Sequence, residues 1–125
     1  MRIFLTHVPD MLANYYGPRA LAEIRKLGEV RLNTTGKVLD AKALAQAAQG
    51  CEIIVSDRQT PGPAEFFSSA PDVCAFLRVA VDIRNIDVEA ASEQGVLVTR
   101  ATPGFMASVS EMAIGMMIDC ARGPE

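Results

Sequence analysis

The chain has 125 residues, of which 50% are hydrophobic, 22% charged and 6% aromatic, and this size suits one compact domain with one core. It is too apolar for intrinsic disorder, and no uninterrupted apolar run reaches the ~18 residues of a membrane span, so we expect no membrane partner. Twelve Lys and Arg against fifteen Asp and Glu give a net charge of −3. Without a basic cluster, this balance argues against a nucleic-acid partner. The sequence contains no basic segment followed by an apolar one, so no signal peptide is visible.

The cysteines and the histidine limit the available chemistry. Cys51, Cys74 and Cys120 are odd in number, widely spaced and free of any C-x-x-C pair, so we expect neither a metal site nor a disulfide framework. All three lie among apolar residues, where a free cysteine packs as a small hydrophobic side chain, and a reducing, cytoplasmic setting follows. His7 is the only histidine, which leaves little for a Ser–His or Cys–His mechanism.

The chain begins with a predicted strand and an interrupted helix. Residues 2–6 are an apolar run typical of a buried strand. Asp10 is positioned to cap a helix over about residues 11–27. Gly17 and Pro18 divide that helix, because proline is tolerated only in a first turn.

A second and a third strand follow, with a helix between them. Gly28 is placed to end the preceding helix, and residues 29–33 alternate like a strand. Asp40 caps a helix rich in alanine and leucine over residues 41–49. Residues 51–56 form the third strand, which has a buried apolar centre.

The second half of the chain continues this alternation. The remaining strands are predicted at residues 73–81 and 96–99. The remaining helices are predicted at residues 64–69, from a cap at Asn85 or Asp87 through residue 93, and at residues 108–121. Strands that alternate with helices indicate βαβ units, and five strands in about 100 residues predict a flavodoxin-like, doubly wound α/β domain. We therefore expect a five-stranded parallel sheet with helices on both faces.

Ligands of such sheets bind beyond the carboxyl ends of the strands. The loops concerned follow Thr6, Ser56, Val81 and Thr99. Neither G-x-G-x-x-G nor G-x-x-x-x-G-K-S/T occurs, so this chain is not expected to form the usual nucleotide site. His7 could act as a ligand or a base, but no carboxylate partner is evident in the sequence and a structural role is favoured.

Asp57 follows the third strand, where a response-regulator receiver carries its phosphoacceptor aspartate. Such a receiver also needs an acidic pair after the first strand and a lysine after the fifth, and Thr6-His7 and Arg100 stand there instead. The receiver interpretation is therefore set aside. The guanidinium of Arg58 suits a carboxylate ligand, which it can bind through two parallel hydrogen bonds. A solvated loop with a local Asp–Arg pair is the alternative.

The small and β-branched residues of Val79-Ala80-Val81 end the most apolar predicted strand. Backbone N–H groups there are candidates for holding an anion, although the same residues are also typical of a plain core. The last helix has an apolar stripe that continues round most of its surface. The stripe contains Val109, Met112, Ala113, Met116, Met117 and Cys120. We expect one face of this helix to pack on the sheet and the other to bind a partner, with an ordinary core helix as the alternative.

Four segments together are similar to a known enzyme family. They are V-A-V-D-I-R-N-I-D-V-E-A-A at 79–91, G-V-L-V-T at 95–99, T-P-G at 102–104 and S-V-S-E at 108–111. In order and spacing they resemble the D-isomer-specific 2-hydroxyacid dehydrogenases, whose pattern is approximately V-G-V-D-N-I-D-L-E-A-A, G-I-x-V-x-N-x-P-G and V-A-E. The chain departs from that pattern in four features. Ala80 replaces a glycine, Ile83-Arg84 adds two residues, Ser110 stands where alanine is usual, and the span from Gly104 to Val109 is about one residue short.

The resemblance implies that residues 1–105 are the flavodoxin-like substrate-binding domain and that residues 106–125 form a helix linking it to a Rossmann NAD-binding domain absent from this chain. NAD or NADP would be bound mainly by that domain. The family's catalytic Arg, Glu and His would lie there too, so we expect no catalytic residue in this chain. The resemblance assigns substrate contacts to Val79, Ala80, Asp57, Arg58, Gln59 and Phe105, and a nicotinamide contact to Met106.

The expected function follows from these assignments. The whole protein would be an NAD(P)-dependent oxidoreductase that interconverts a D-2-hydroxy acid and its 2-keto acid, and this chain alone would be inactive. The small 2-keto or 2-hydroxy acid is the expected ligand, and the expected protein partner is a second copy, bound through the last helix or through the absent domain. The alternative is a free-standing flavodoxin-like module that binds a small molecule or regulates without catalysis.

Overall fold

In the computed structural model, which describes residues 1–123, five strands alternate with six helices. The strands are β1 (Arg2–Leu5), β2 (Glu29–Leu32), β3 (Ile53–Ser56), β4 (Ala75–Arg78) and β5 (Leu97–Thr99). The helices are α1 (Pro9–Tyr15), α2 (Gly17–Arg25), α3 (Ala41–Ala47), α4 (Ala64–Ser69), α5 (Val88–Glu93) and α6 (Met106–Arg122). The predicted linking segment 106–125 includes residues 124 and 125, which lie outside the described residues.

All strand pairs are parallel, and the sheet order is β2-β1-β3-β4-β5. This is the order of flavodoxin-like sheets, so the predicted fold class is confirmed. The helices cover two faces because successive strand residues point to opposite sides. Phe4 faces the larger core beneath α3, α4 and α5, whereas Ile3 and Leu5 pack against the partly buried side chains of α1 and α2.

Two of the predicted helix caps are confirmed. The Asp40 carboxylate accepts a hydrogen bond from Ala43 N at 2.8 Å, and that of Asp87 accepts one from Ala90 N at 2.9 Å. The predicted Asp10 cap is wrong, because Pro9 already occupies the first turn of α1 and places Asp10 inside the helix.

The glycines at the two ends of α2 serve different purposes. Gly17 has a φ of +60° and breaks the helix where the sequence predicts it. Gly28 does not end the helix, which stops at Arg25. A Cβ at Gly28 would lie 2.3 Å from the Met1 carbonyl oxygen. This position needs glycine because the chain passes close to the start of β1.

The last helix differs most from its prediction. We expected one face of α6 to lie on the sheet, but every residue of α6 is exposed and the helix contacts no other strand or helix of residues 1–123. The expectation that all three cysteines are packed inside is also wrong. Cys51 is buried, whereas Cys74 lies in the exposed approach to β4 and Cys120 lies on α6. No helix among the described residues is long and apolar enough to cross a membrane.

Candidate functional site

The strand order creates a crevice at one edge of the sheet. β1 is followed in sequence by β2 on one side and adjoins β3 on the other, so the loops that leave the two strands diverge. An open cleft of about 720 Å³ lies there. Its lining residues are Met11, Tyr15, Arg58, Gln59, Asp82, Arg84 and Asn85. The structure thus brings the predicted Arg58 and Gln59 together with the loop that follows β4.

Asp57 lies beneath this cleft and is buried. Its Oδ1 atom accepts hydrogen bonds from the hydroxyls of Thr6, at 2.6 Å, and Thr60, and Oδ2 accepts one from Gln59 N at 3.3 Å. Burial acts to raise the pKa of Asp57, but these hydrogen bonds outweigh it and hold the pKa below its usual value. The carboxylate therefore ties the β3–α4 loop to the end of β1, a role that the sequence did not reveal.

Arg58 lies on the surface beside the cleft. Its side chain is 69% exposed, and its Nε atom is 3.8 Å from Asp82 Oδ2. The Asp–Arg pair considered from the sequence would have joined Arg58 to its neighbour Asp57. The structure instead pairs Arg58 loosely with a residue of the next loop. Much of its hydrogen-bonding capacity is left for a ligand.

Arg78, at the end of β4, organises both loops. Only 3% of this residue is exposed. Its guanidinium donates to Ser56 Oγ, Thr60 O, Asp82 O and Asn85 Oδ1 at 2.7–2.9 Å, and to Arg58 O at 3.3 Å. Sequence reasoning assigned Arg78 no role, although a single charge inside the most apolar predicted strand was a usable signal.

The charge of Arg78 is stable in this setting. Burial lowers the pKa of Arg78, against the opposing effect of the Asp57 and Asp82 carboxylates. An arginine nevertheless stays protonated at physiological pH. The loops after β3 and β4 are therefore joined by a cation that stays charged at physiological pH.

Val79 and Ala80 are the predicted anion-binding pair, but only one of their two backbone N–H groups is free to donate to a ligand. β4 is shorter than predicted, and Val79 N continues its hydrogen bonding by donating to Ser56 O at 3.0 Å. This N–H is therefore not open to a substrate. Ala80 N donates no hydrogen bond within the described part of the chain, while Ala80 O accepts one from Ala101 N at 3.1 Å. Of the pair, only the Ala80 N–H is left without an acceptor among the described residues, and its contact with an anion stays a prediction.

Phe105 and Met106 do not line the cleft. They lie at the start of α6 and are 55% and 63% exposed. The structure therefore does not bring these two residues together with Arg58 and Gln59, and their contacts with substrate and nicotinamide stay predictions.

His7 is buried and follows β1 directly. Its ring meets that of Tyr16 edge-on, with centroids 4.9 Å apart, and its Nδ1 atom has no hydrogen-bond partner among the residues described. Burial lowers the pKa of His7, which the nearby Asp57 carboxylate only partly offsets. A neutral, packed imidazole is consistent with the structural role favoured from the sequence.

The loop after β1 does not suit a dinucleotide. A pyrophosphate needs several free N–H groups at a helix N-terminus, but Pro9 supplies none at the first turn of α1 and the loop contains no glycine. Within residues 1–123, no group of three or more His, Cys, Asp or Glu side chains has an arrangement that could hold a metal ion.

The family model for the catalytic domain of D-isomer-specific 2-hydroxyacid dehydrogenases matches residues 4–115. The chain is 31% identical over 113 residues to D-3-phosphoglycerate dehydrogenase from Archaeoglobus fulgidus, covering 90% of this chain and 21% of that protein. It is 28% identical over 123 residues to glyoxylate reductase from Korarchaeum cryptofilum, covering 97% and 34%.

The fold also matches a solved structure of cofactor (NAD+)-bound 3-phosphoglycerate dehydrogenase from Entamoeba histolytica. The TM-score is 0.70 at 20% identity, over 95% of this chain and 38% of the other. The chain thus spans between a fifth and a third of the length of the two curated relatives above.

Proposed function

Because the chain belongs to the D-isomer-specific 2-hydroxyacid dehydrogenase family, we propose that it is the substrate-binding domain of an NAD(P)-dependent enzyme that interconverts a D-2-hydroxy acid and its 2-keto acid. One observation carries this proposal for the site. The free Ala80 N–H and the exposed Arg58 guanidinium follow adjacent strands at the same edge of the sheet.

The proposed role of these groups is to bind and orient the acid. The Ala80 N–H donates a hydrogen bond to the substrate carboxylate, and Arg58 places a positive charge beside it. Gln59 lies in the same cleft and supplies a neutral amide that can contact the 2-oxygen. Arg78 contacts no substrate in this scheme but holds both loops in position.

The transfer of hydride and proton is assigned to a second domain. The cleft is lined by no histidine, glutamate or lysine, so it offers no side chain suited to exchange a proton with a hydroxyl near neutral pH. NAD or NADP is bound mainly by that other domain, which residues 106–125 link to this one. The exposed thiols of Cys74 and Cys120 favour a reducing, cytoplasmic location.

The proposal is tested by titrating the isotopically labelled chain with pyruvate and following backbone amide signals. We expect the Ala80 and Gln59 amides to shift with millimolar affinity. Pyruvamide, which lacks the carboxylate, serves as the matched control ligand and should leave Ala80 unchanged. NADH should bind weakly or not at all, and no NAD-linked activity should be measurable with this chain alone.

Two results would contradict the proposal. One is an Ala80 signal that does not respond to any 2-keto acid. The other is tight NADH binding by isothermal titration, which would mean that this chain itself holds the cofactor.

A further inference from the structure

The cleft contains two guanidinium groups placed around a single carboxylate. Arg84 donates to Asp82 through Nε at 3.0 Å and Nη2 at 2.8 Å, and through its backbone N at 3.0 Å. Arg58 Nε lies 3.8 Å from the same Asp82 Oδ2 atom that accepts from Arg84 Nη2. Asp82 therefore gathers both cations at one place.

The remaining donors of this cluster point to an anionic ligand. The side chains of Arg58 and Arg84 are 69% and 86% exposed, whereas that of Asp82 is 28% exposed. The Asn85 amide is already engaged, accepting from Arg78 Nη1 and donating to Arg58 O. The charged groups that line the cleft are thus two cations and one anion, and the anion is the least accessible of the three.

The hydrogen bonds from Arg84 keep Asp82 ionised by holding its pKa well below the usual value. The carboxylate therefore stays charged beside the two arginines at neutral pH. An excess positive charge remains at the mouth of the cleft.

We infer that Arg58 and Arg84 form a subsite for a second anionic group of the substrate. This inference rests on the proposed function, in which the first carboxylate binds at Ala80 N. Asp82 lies two residues beyond Ala80, and two residues span at most about 7 Å. The ligand class is therefore a compact 2-keto acid that carries a second anionic group, either a carboxylate or a phosphate.

This inference assigns a role to Arg84, because Arg84 is the residue that completes the pair of cations. A chain without Arg84 would leave Arg58 facing Asp82 alone, and the cleft would carry no excess charge. Arg84 is thus proposed to determine substrate specificity.

The experiment compares three ligands by amide-signal titration of the whole chain at constant ionic strength. The ligands are pyruvate, 2-oxoglutarate and 3-phosphohydroxypyruvate, which carry no second anion, a second carboxylate and a phosphate. We expect at least one of the two dianions to bind ten or more times as tightly as pyruvate, because a charge-assisted contact contributes a factor of this size. The dianion that binds more tightly shows whether the second anionic group is a carboxylate or a phosphate.

Three variants locate the effect. Arg84→Gln should reduce the dianion preference to less than threefold while leaving pyruvate affinity within twofold. Arg58→Gln should also reduce the dianion preference to less than threefold, and it should weaken pyruvate binding as well, because Arg58 lies beside the first carboxylate in the proposed function. Arg19→Gln, an exposed arginine on α2, is the matched control and should keep the preference. Equal affinity for pyruvate and both dianions, or a preference that survives in both cleft variants, would overturn the inference and leave the proposed function standing.

Inorganic phosphate separates the two proposals. If phosphate shifts the Arg58 and Arg84 amides while no 2-keto acid shifts Ala80, the anion subsite is supported and the proposed function fails. If phosphate and both dianions leave these amides unchanged, the subsite is refuted as well.

Discussion

Replacing Arg78 with methionine tests whether this one side chain holds the two site loops together. The substitution keeps a long, apolar stem and removes all five guanidinium hydrogen bonds. The bonds to Ser56 Oγ and Thr60 O are fully buried, and the other three are partly accessible to water. Water can replace the accessible bonds, but the two buried acceptors lose their donor.

A buried acceptor without its donor costs ~1–3 kcal/mol, so we expect Arg78→Met to lower the free energy of unfolding by about 3 kcal/mol. The total stability of such a domain is about 5–15 kcal/mol, so the variant should still fold. With a urea m-value of about 1.5 kcal/mol per M, the denaturation midpoint should fall by about 2 M, as followed by circular dichroism.

Arg84→Met in the neighbouring loop is the matched control. The Arg84 side chain is 86% exposed and pairs at the surface, where ion pairs contribute little, so its midpoint should stay close to that of the unmodified chain. If Arg78→Met shifts the midpoint no more than Arg84→Met does, the buried hydrogen bonds do not hold the loops and the reasoning is refuted.

Three further predictions concern other parts of the chain. His7 is the only histidine, and its pKa is lowered in the folded state. Stability should therefore decrease as the pH falls through about 6.5, the pKa of histidine in the unfolded chain. Thermal melts between pH 8 and 5.5 should show this decrease, and His7→Phe should abolish it. Gly28→Ala should destabilise the fold strongly, because the added Cβ would lie 2.3 Å from a main-chain oxygen, whereas a Cβ added at Gly104 would have no atom within 4 Å. The denaturation midpoints of Gly28→Ala and Gly104→Ala in urea measure this difference. The exposed, apolar α6 should cause self-association through Met112 and Met116, visible as a concentration-dependent sedimentation coefficient that disappears when both are changed to glutamate.

Each of these predictions has a distinct contrary result. A melting temperature independent of pH in that range would show that His7 is not differently protonated in the two states. Equal midpoints for the two glycine variants would mean that Met1 moves away from the added Cβ without lowering the free energy of unfolding. A monomer at high concentration would show that the apolar surface of α6 does not bind a second copy.

The local pattern of the sequence was sufficient for the class of fold and for many element positions. α4 has the predicted bounds of residues 64–69, and Asp40 and Asp87 cap the helices that they precede. These features depend on residues within one or two turns of each other, and hydrogen-bond caps and apolar periodicity are visible at that range. The same reasoning placed Arg58 and Gln59 correctly at the carboxyl edge of the sheet.

The contacts of the site could not be found in this way, because their partners are distant in sequence. Thr6 and Asp57 are 51 residues apart and Arg78 and Ser56 are 22 apart. Both pairs meet only because the strand order is β2-β1-β3-β4-β5. Likewise, the Val79 N–H belongs to the sheet and the Ala80 N–H does not, which depends on where β3 ends beside β4.

The composition and motifs by themselves therefore determined a parallel α/β domain of this enzyme family with its polar loops at one edge. Only the tertiary structure decided that Arg78 is the buried centre of those loops, that Asp82 unites Arg58 with Arg84, and that α6 leaves the domain uncovered. The physical reason is one of range. Backbone propensity and periodicity act between near neighbours, whereas burial, charge pairing and hydrogen-bond partners are set by the packing of whole strands against each other.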